Sequence, residues 1–361
     1  MTNHKKSLIV SFLDKVAPKN RLQIKIIYDL GYTPVFYVND YIGYSDQYFK
    51  TRDEHRLLVQ GLLNRFGQIY SFFKKNKHNI HHVEVYPGGR FSFIYLLLAR
   101  YFEIKTICVE RGDLLYFKKG GYDLVTRLSM WMCYKRADMV WYREIYMEKI
   151  LREMGVRKLF FLHNAVEIRN DLPEHKTHSD YKAKNIDFLW LNRLIPERMS
   201  GWFVDILARK SFESTKNILA GILPKTLYQK EQTTVITNKP TNLRLLDYVA
   251  DPSALYRESK FFVLPAKVVF ANNALLEAMS FGVIPIIVDS PGYELIVKDG
   301  YNGIVSSFDK KNFETAMLRA LDLSEQDYTT MSNNAIAHIR SSFSADSYMD
   351  KIKKLYKEIE L

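Results

Sequence analysis

The segment Asn192-Arg193-Leu194-Ile195-Pro196-Glu197-Arg198 sets two guanidiniums five residues apart, between an apolar run and an amphipathic one. On a loop at the carboxyl end of a strand, two such groups can converge on one diphosphate, because arginine offers planar paired donors to phosphate oxygens. A pair of solvated surface arginines has the same spacing. A second stretch, residues 264–287, reads as strand, loop, helix and strand, with Glu277 about one turn inside the helix. A carboxylate there can meet a ligand, or it can merely complement the helix dipole. No two glycines lie two apart and no G-x-x-x-x-G-K occurs, so the usual glycine-loop phosphate cradles are missing. A bound phosphate would have to rely on cationic side chains and bare helix N-termini.

Two scaffolds must position these groups. In the first half, residues 7–12, 33–38, 83–86 and 106–109 read as buried strands, separated by helical patterns at 22–30, 55–75 and 91–102. Such alternation implies a parallel sheet covered on both faces. Residues 165–186 lose apolar periodicity and have a linker's composition. The alternation then restarts, with strands at 186–191, 217–220, 233–236, 261–264 and 284–288 and helices at 201–210 and 273–281. The latter helix has Asn272 or Asn273 as its N-cap and Gly282 just past its end. The expected fold is α/β: two Rossmann-like, doubly wound domains, 1–165 and 166–345, facing across a cleft. A terminal helix within 346–361 is expected to pack back toward the first domain. In sheets of this kind ligands sit at the carboxyl ends of the strands.

The 361 residues, 47% apolar and 14% aromatic, suffice for two cores of the usual domain size of roughly 150 residues. Disordered and collagen-like classes are excluded by the 25% charged composition with few Gly and Pro. No apolar run approaches the roughly 20 residues a spanning helix needs, and the start reads as a first strand rather than a signal peptide. Cys108 and Cys133 are too few for a disulfide framework or a zinc site, so a cytoplasmic protein is expected. Residues 1–170 hold 28 Lys and Arg against 16 Asp and Glu, whereas residues 171–361 hold 24 of each. The basic half implies a polyanionic partner, or else solvated basic helix faces. No nucleic-acid module with interleaved cations and aromatics is present. Aromatics beside lysines at 72–77 and 114–119 have the character of an interfacial membrane contact or, equally for the first, of a solvated helix end. His78, His81 and His82 read as a surface helix end rather than a metal site.

Together these stretches resemble the donor domain of the retaining GT-B glycosyltransferases, specifically glycosyltransferase family 4. His163-Asn164-Ala165-Val166-Glu167 resembles the family's N-G-V-D, and Arg193 and Arg198 resemble the paired Arg and Lys of G-R-L-x-x-E-K-G. Residues 242–249, 251–264, 273–285 and 291–305 resemble its later motifs in order, so the likeness covers roughly 163–340. The first half matches in layout alone, with Arg111 standing where the family often has a cleft histidine.

The resemblance implies transfer, with retention and without a metal or other cofactor, of a sugar from a nucleotide-diphosphate donor to a glycan or lipid-linked acceptor. The setting implied is bacterial surface polysaccharide or lipopolysaccharide synthesis, peripheral on the inner face of the cell membrane. Arg193 and Arg198 would clamp the diphosphate and Glu277 would accept the ribose hydroxyls. Phe270, Ala271, Asn272, Asn273 and Ala274 would line phosphate and sugar, and Leu246, Asp247 and Tyr248 would meet the base. Arg111 would complete the catalytic set, with Lys19, Asn20, Gly88, Arg90 and Asp113 on the acceptor side. One departure is Val269, which stands where the family has the first of two glutamates eight positions apart. A valine there implies a donor with an apolar or differently placed group, such as a 6-deoxy sugar or unusual ring form, met by Asn272 or Asn273. The alternative is a non-catalytic nucleotide-binding or scaffold protein that has lost this acid.

Overall fold

The computed structural model describes residues 7–16, 20–40, 48–111, 114–172, 174–177, 181–269 and 271–361. The chain forms two compact units, Met1–His163 together with Tyr348–Leu361, and Asn164–Ser347.

In the first unit the order is β1 (Leu8–Phe12), α1 (Arg21–Asp29), β2 (Thr33–Val38), β3 (His55–Leu57), α2 (Leu62–Asn76), β4 (Ile80–Val85), α3 (Ser92–Tyr101), β5 (Lys105–Glu110), α4 (Leu114–Lys118), α5 (Leu124–Arg136), β6 (Met139–Tyr142), α6 (Ile145–Glu153) and β7 (Leu159–Phe161). Its parallel strands lie in the order β3-β2-β1-β4-β5-β6-β7. The order reverses between β1 and β4, the kind of switch point where doubly wound sheets bind ligands. The second unit runs β8 (Ile186–Leu191), α7 (Ser200–Leu207), β9 (Asn217–Ile222), α8 (Gln229–Thr237), β10 (Leu243–Asp247), α9 (Ser253–Glu258), β11 (Ser259–Leu264), α10 (Asn273–Ser280), β12 (Ile284–Val288), β13 (Ile304–Ser306), α11 (Lys310–Leu321) and α12 (Glu325–Ser342). Its sheet order is β10-β9-β8-β11-β12-β13. The last helix, α13 (Ala345–Glu360), starts in the second unit, and from Tyr348 on it belongs to the first.

The strands are apolar in runs because both faces are covered. In the second unit Leu189, Phe262, Leu264 and Ile287 join α10 and α12 in one core, while Phe188, Trp190, Val263 and Ile286 join α7 and α11 in another. Two elements differ from the pattern reading. Residues 233–236, a β-branched run, lie inside α8, where Gln232 and Val235 are its buried pair one turn apart; packing at helical spacing overrides strand propensity. The long pattern at 55–75 is divided, because Gly61 adopts φ +83° between β3 and α2, a conformation that ends any helix running through it.

Two side-chain expectations are corrected. His81 and His82 lie within β4 and are buried, packed against Tyr356 of α13, so only His78 is at an exposed helix end. Phe72 and Phe73 are core residues of α2, and only the lysines beside them face solvent. In the second aromatic-lysine segment, Leu114 is buried while Tyr116 is exposed. Among the described residues no group of three His, Cys, Asp or Glu could hold a metal ion. Among them, too, no helix is long and apolar enough to cross a membrane.

Candidate functional site

In the second unit the site is built at the carboxyl ends of β8 and β11. The chain leaving β8 passes so close to Gly221 that a Cβ there would meet the Asn192 carbonyl oxygen at 2.0 Å. Glycine is required both for that approach and for its φ of +126°. Beyond Asn192 the loop makes a 3₁₀ turn, Pro196–Arg198, and enters α7 through Met199, whose left-handed φ of +50° is rare for a side-chain-bearing residue. A strained junction of this kind persists only where its surroundings enforce it, and such junctions collect at ligand-binding loops.

The neighbouring loop supplies that enforcement. Lys267 N donates to Glu197 O at 2.9 Å, and Arg198 Nη1 donates to Val268 O at 3.2 Å. Arg198 is thereby held half-buried, while Arg193 is exposed. Burial, and next the nearby charge of Arg193, pull the Arg198 pKa down to about 10 against the opposing charge of Glu197. Arg198 remains charged at neutral pH, and two guanidiniums set this close would both gain from an anion placed between them.

The loop ends at the N-terminus of α10. Asn272 caps it, its Oδ1 accepting from Leu275 N at 3.1 Å, and its Nδ2 donates to Asn192 Oδ1 at 2.9 Å. Ala271 is buried and its carbonyl accepts from Asn164 Nδ2 at 2.8 Å. Asn273 and Ala274, half-buried, open the helix, where unpaired backbone N–H groups can meet an anion. One turn in, Glu277 accepts from Tyr256 Oη at 3.1 Å. Burial raises the Glu277 carboxyl above its ordinary value, the Tyr256 bond opposes this, and Asp251 adds to it. Tyr256, on α9, is a partner that sequence reasoning missed.

Val269 does not line an open pocket. It is fully buried in the core with Leu264, Leu275 and Ile287, and its N–H donates to Pro291 O at 3.0 Å. The expectation that it shapes a sugar subsite is corrected, since its side chain packs inward. Leu246, Asp247 and Tyr248 stand at the end of the edge strand β10, two strands from β8, with Asp247 and Tyr248 exposed. Phe270 lies outside the described residues.

The first unit carries a second cluster. Arg111, just past β5, donates through Nη2 to Gln23 Oε1 at 2.8 Å and to Tyr86 Oη at 2.9 Å, and stacks on the Tyr86 ring at 4.1 Å. Beneath it Glu84 is fully buried and accepts from Ser11 Oγ and Gln23 Nε2, both at 2.9 Å. Burial pushes the Glu84 carboxyl up, but hydrogen bonding and charge from His82, with help from Ser11 and Arg111, more than offset this and hold it below its ordinary value. Gln23, Glu84, Tyr86 and Arg143 were not singled out from the sequence. Glu84 had a signal, a lone charge in the apolar central strand Ile80–Val85.

The expected acceptor-side residues are only partly gathered here. Asn20 is buried at the start of α1 without capping it. Gly88 and Arg90 are exposed, and Arg90 pairs with Asp123 at 3.5 Å, which its bonds do not connect to Arg111. Lys19 and Asp113 lie outside the described residues.

Residues 171–338 match the family model described as glycosyl transferases group 1. No curated protein matches the chain. Among solved structures, sucrose-phosphate synthase from Thermosynechococcus elongatus superposes with a TM-score of 0.78 at 12% identity, over 98% of this chain and 99% of that one. Anabaena Alr3699/HepE in complex with UDP gives 0.78 at 13%, over 98% and 100%. The lipopolysaccharide outer core galactosyltransferase WaaB, in its apo form, gives 0.69 at 13%, over 98% and 100%. The second half of the chain is thus similar to the glycosyl transferases group 1, and the chain as a whole has the fold of the GT-B glycosyltransferases.

Proposed function

We propose that this chain is a retaining, metal-independent glycosyltransferase of family 4 that moves a sugar from a nucleotide-diphosphate donor to a glycan or lipid-linked acceptor. The observation that carries this reading is the Arg193–Arg198 pair beside the capped N-terminus of α10, with Glu277 one turn further in. Two cations on one loop, of which Arg198 is held by the Val268 carbonyl, can together with backbone N–H groups stabilise a departing diphosphate without a metal. Glu277 is the acceptor for ribose hydroxyls. Similar folds hold such ligands: Alr3699/HepE has been solved with UDP-glucose and with UDP and glucose.

The test is a thermal-shift screen of nucleoside diphosphates and their sugars, where a ligand at 100 times its Kd stabilises by about 2.7 kcal/mol. Arg193→Ala and Arg198→Ala should each cost about 1.5 to 3 kcal/mol of nucleotide affinity. Unchanged affinity in both variants, or complete and reversible loss of turnover with a chelator, would overturn the reading. A scaffold that binds nucleotide without turnover is the second reading, favoured by the buried Val269 in place of an acid; binding without transfer to any acceptor would establish it.

The same reading sets the protein on the inner face of an anionic membrane, in surface polysaccharide or lipopolysaccharide synthesis. The support lies on α2, whose end the sequence singled out, and on α3 and α5, which it did not. α2, α3 and α5 pack side by side on the first unit's sheet, and their outer faces expose Leu63 (84%), Tyr101 (70%) and Leu124 (78%), with Phe66, Leu97, Leu128 and Trp131. Lys74, Lys75, Arg100, Lys135 and Arg136 on the same helices are exposed as well. Exposed apolar side chains rimmed by cations suit an interface with anionic lipid.

A further inference from the structure

The sheet of the first unit has two unlike faces. One is apolar, with Val10, Phe12, Val83, Val85, Cys108 and Val140 in a core shared with α2, α3 and α5. The other carries Ser11 on β1, His82 and Glu84 on β4, and, just past the ends of their strands, Tyr86 after β4, Arg111 after β5 and Arg143 after β6. Over it lie Gln23 of α1 and two tyrosines of α13, Tyr356 at 4.7 Å from the His82 ring and Tyr348 at 6.4 Å from Trp141.

The strand register makes Arg111 and Arg143 neighbours. Glu110 pairs with Tyr142 across β5 and β6, so the residues that follow emerge side by side on one face, their backbones about 4.8 Å apart. Each guanidinium lies over an aromatic ring, Arg111 on Tyr86 at 4.1 Å and Arg143 on Trp141 at 5.2 Å. Arg111 Nε is buried and, among the described residues, meets no hydrogen-bond acceptor. The adjoining carboxylates take the opposite face, as strand alternation requires. Glu110 accepts from Leu114 N and Tyr134 Oη, and Glu144 acts with it on Tyr146. Among the described residues, Glu84 is the carboxylate that this face of the sheet presents toward the two guanidiniums.

We propose that Arg111 and Arg143 form a phosphate-binding subsite, which on the glycosyltransferase reading above takes a phosphate group carried by the acceptor. The location suits a ligand, at the carboxyl ends of two central strands. A single guanidinium can saturate a carboxylate, whereas two forks side by side match a tetrahedral oxyanion with a charge of about −1.5 to −2 at neutral pH. Burial, and next the charge of Arg111, draw the Arg143 pKa below its ordinary value, so the pair is under an electrostatic load that an anion would relieve. A phosphorylated sugar and a lipid-borne phosphate present the same group.

The experiment titrates inorganic phosphate by calorimetry into the full chain carrying Arg193→Ala and Arg198→Ala, which removes the clamp of the second unit. Saturable binding should remain, and adding Arg143→Gln should weaken it about tenfold or more, as loss of a charge-assisted pair does. Arg111→Lys, which keeps charge and fold but loses the fork, should weaken it to a lesser degree. Titrations with a sugar phosphate and with a soluble prenyl phosphate tell the two sources apart, the tighter one naming the acceptor's class. Absence of saturable phosphate binding, or binding unaltered by both substitutions in folded protein, overturns the proposal. Failure of nucleotides to bind the natural protein would instead remove the glycosyltransferase reading and leave this subsite standing.

Discussion

Asn272 and Asn192 are joined through their side-chain amides, Nδ2 of the first donating to Oδ1 of the second at 2.9 Å, while Oδ1 of Asn272 caps α10. One amide thus couples the helix that bears Glu277 to the loop that bears Arg193. The coupling has two halves, an acceptor that serves the helix and a donor that serves the loop, and they can be separated by substitution.

Asn272→Ala removes both and should cost about 0.5–2 kcal/mol of stability, the usual loss for a missing N-cap. Asn272→Asp keeps the cap acceptor but not the donor to Asn192. It should melt near the natural protein yet bind nucleoside diphosphate more weakly, measured by urea unfolding and by calorimetry. Equal nucleotide affinity in the Asp variant would show that the loop needs no such tie.

Val269→Glu puts a carboxylate into a fully buried apolar site. An unpaired charge there should destabilise the second unit by about 2 kcal/mol or more, read from the midpoint of urea unfolding. A variant of natural stability that gains turnover with an ordinary hexose donor would show instead that position 269 faces the sugar.

The Glu84 carboxyl is held below its ordinary value of 4.5 in the folded chain. An acid with a depressed folded pKa contributes stability that is present above its unfolded pKa and lost as pH falls through the folded one. Unfolding free energy should therefore drop on acidification below about pH 4.5, and Glu84→Gln should flatten that slope while lowering stability at neutral pH. The check is a series of denaturant melts from neutral to acid pH on both proteins, and parallel slopes would remove Glu84 from the account.

Anionic vesicles should bind the natural protein with an affinity that falls steeply between low and physiological salt, at about 1 kcal/mol per engaged Lys or Arg. Leu124→Ser with Leu128→Ser should reduce flotation with those vesicles and leave nucleotide binding intact. Equal partitioning onto neutral vesicles at every salt concentration, or flotation indifferent to the double substitution, would exclude this helical face.

The sequence by itself determined which segments become elements. Strands 33–38, 186–191 and 284–288 appear with the bounds that their apolar runs imply, because a parallel strand buried on both faces has to be apolar throughout. The helix of Glu277 was legible from its punctuation, Asn272 capping it and Gly282, at φ +73°, ending it. Both signals act within one turn of chain. Where competing local signals met, as in the β-branched 233–236, propensity pointed the wrong way and packing decided.

Only the tertiary structure decided which polar side chains meet. Arg111 bonds to a glutamine 88 positions earlier, and Glu84 to a serine 73 positions earlier, because β1 lies against β4 and β4 against β5. Nothing within a few residues of Gln23 or Ser11 announces that adjacency. The inward turn of Val269 and the burial of His81 and His82 beneath α13 have the same origin. Periodicity determines what a segment becomes, whereas strand order and register, set by long-range packing, determine what its side chains touch.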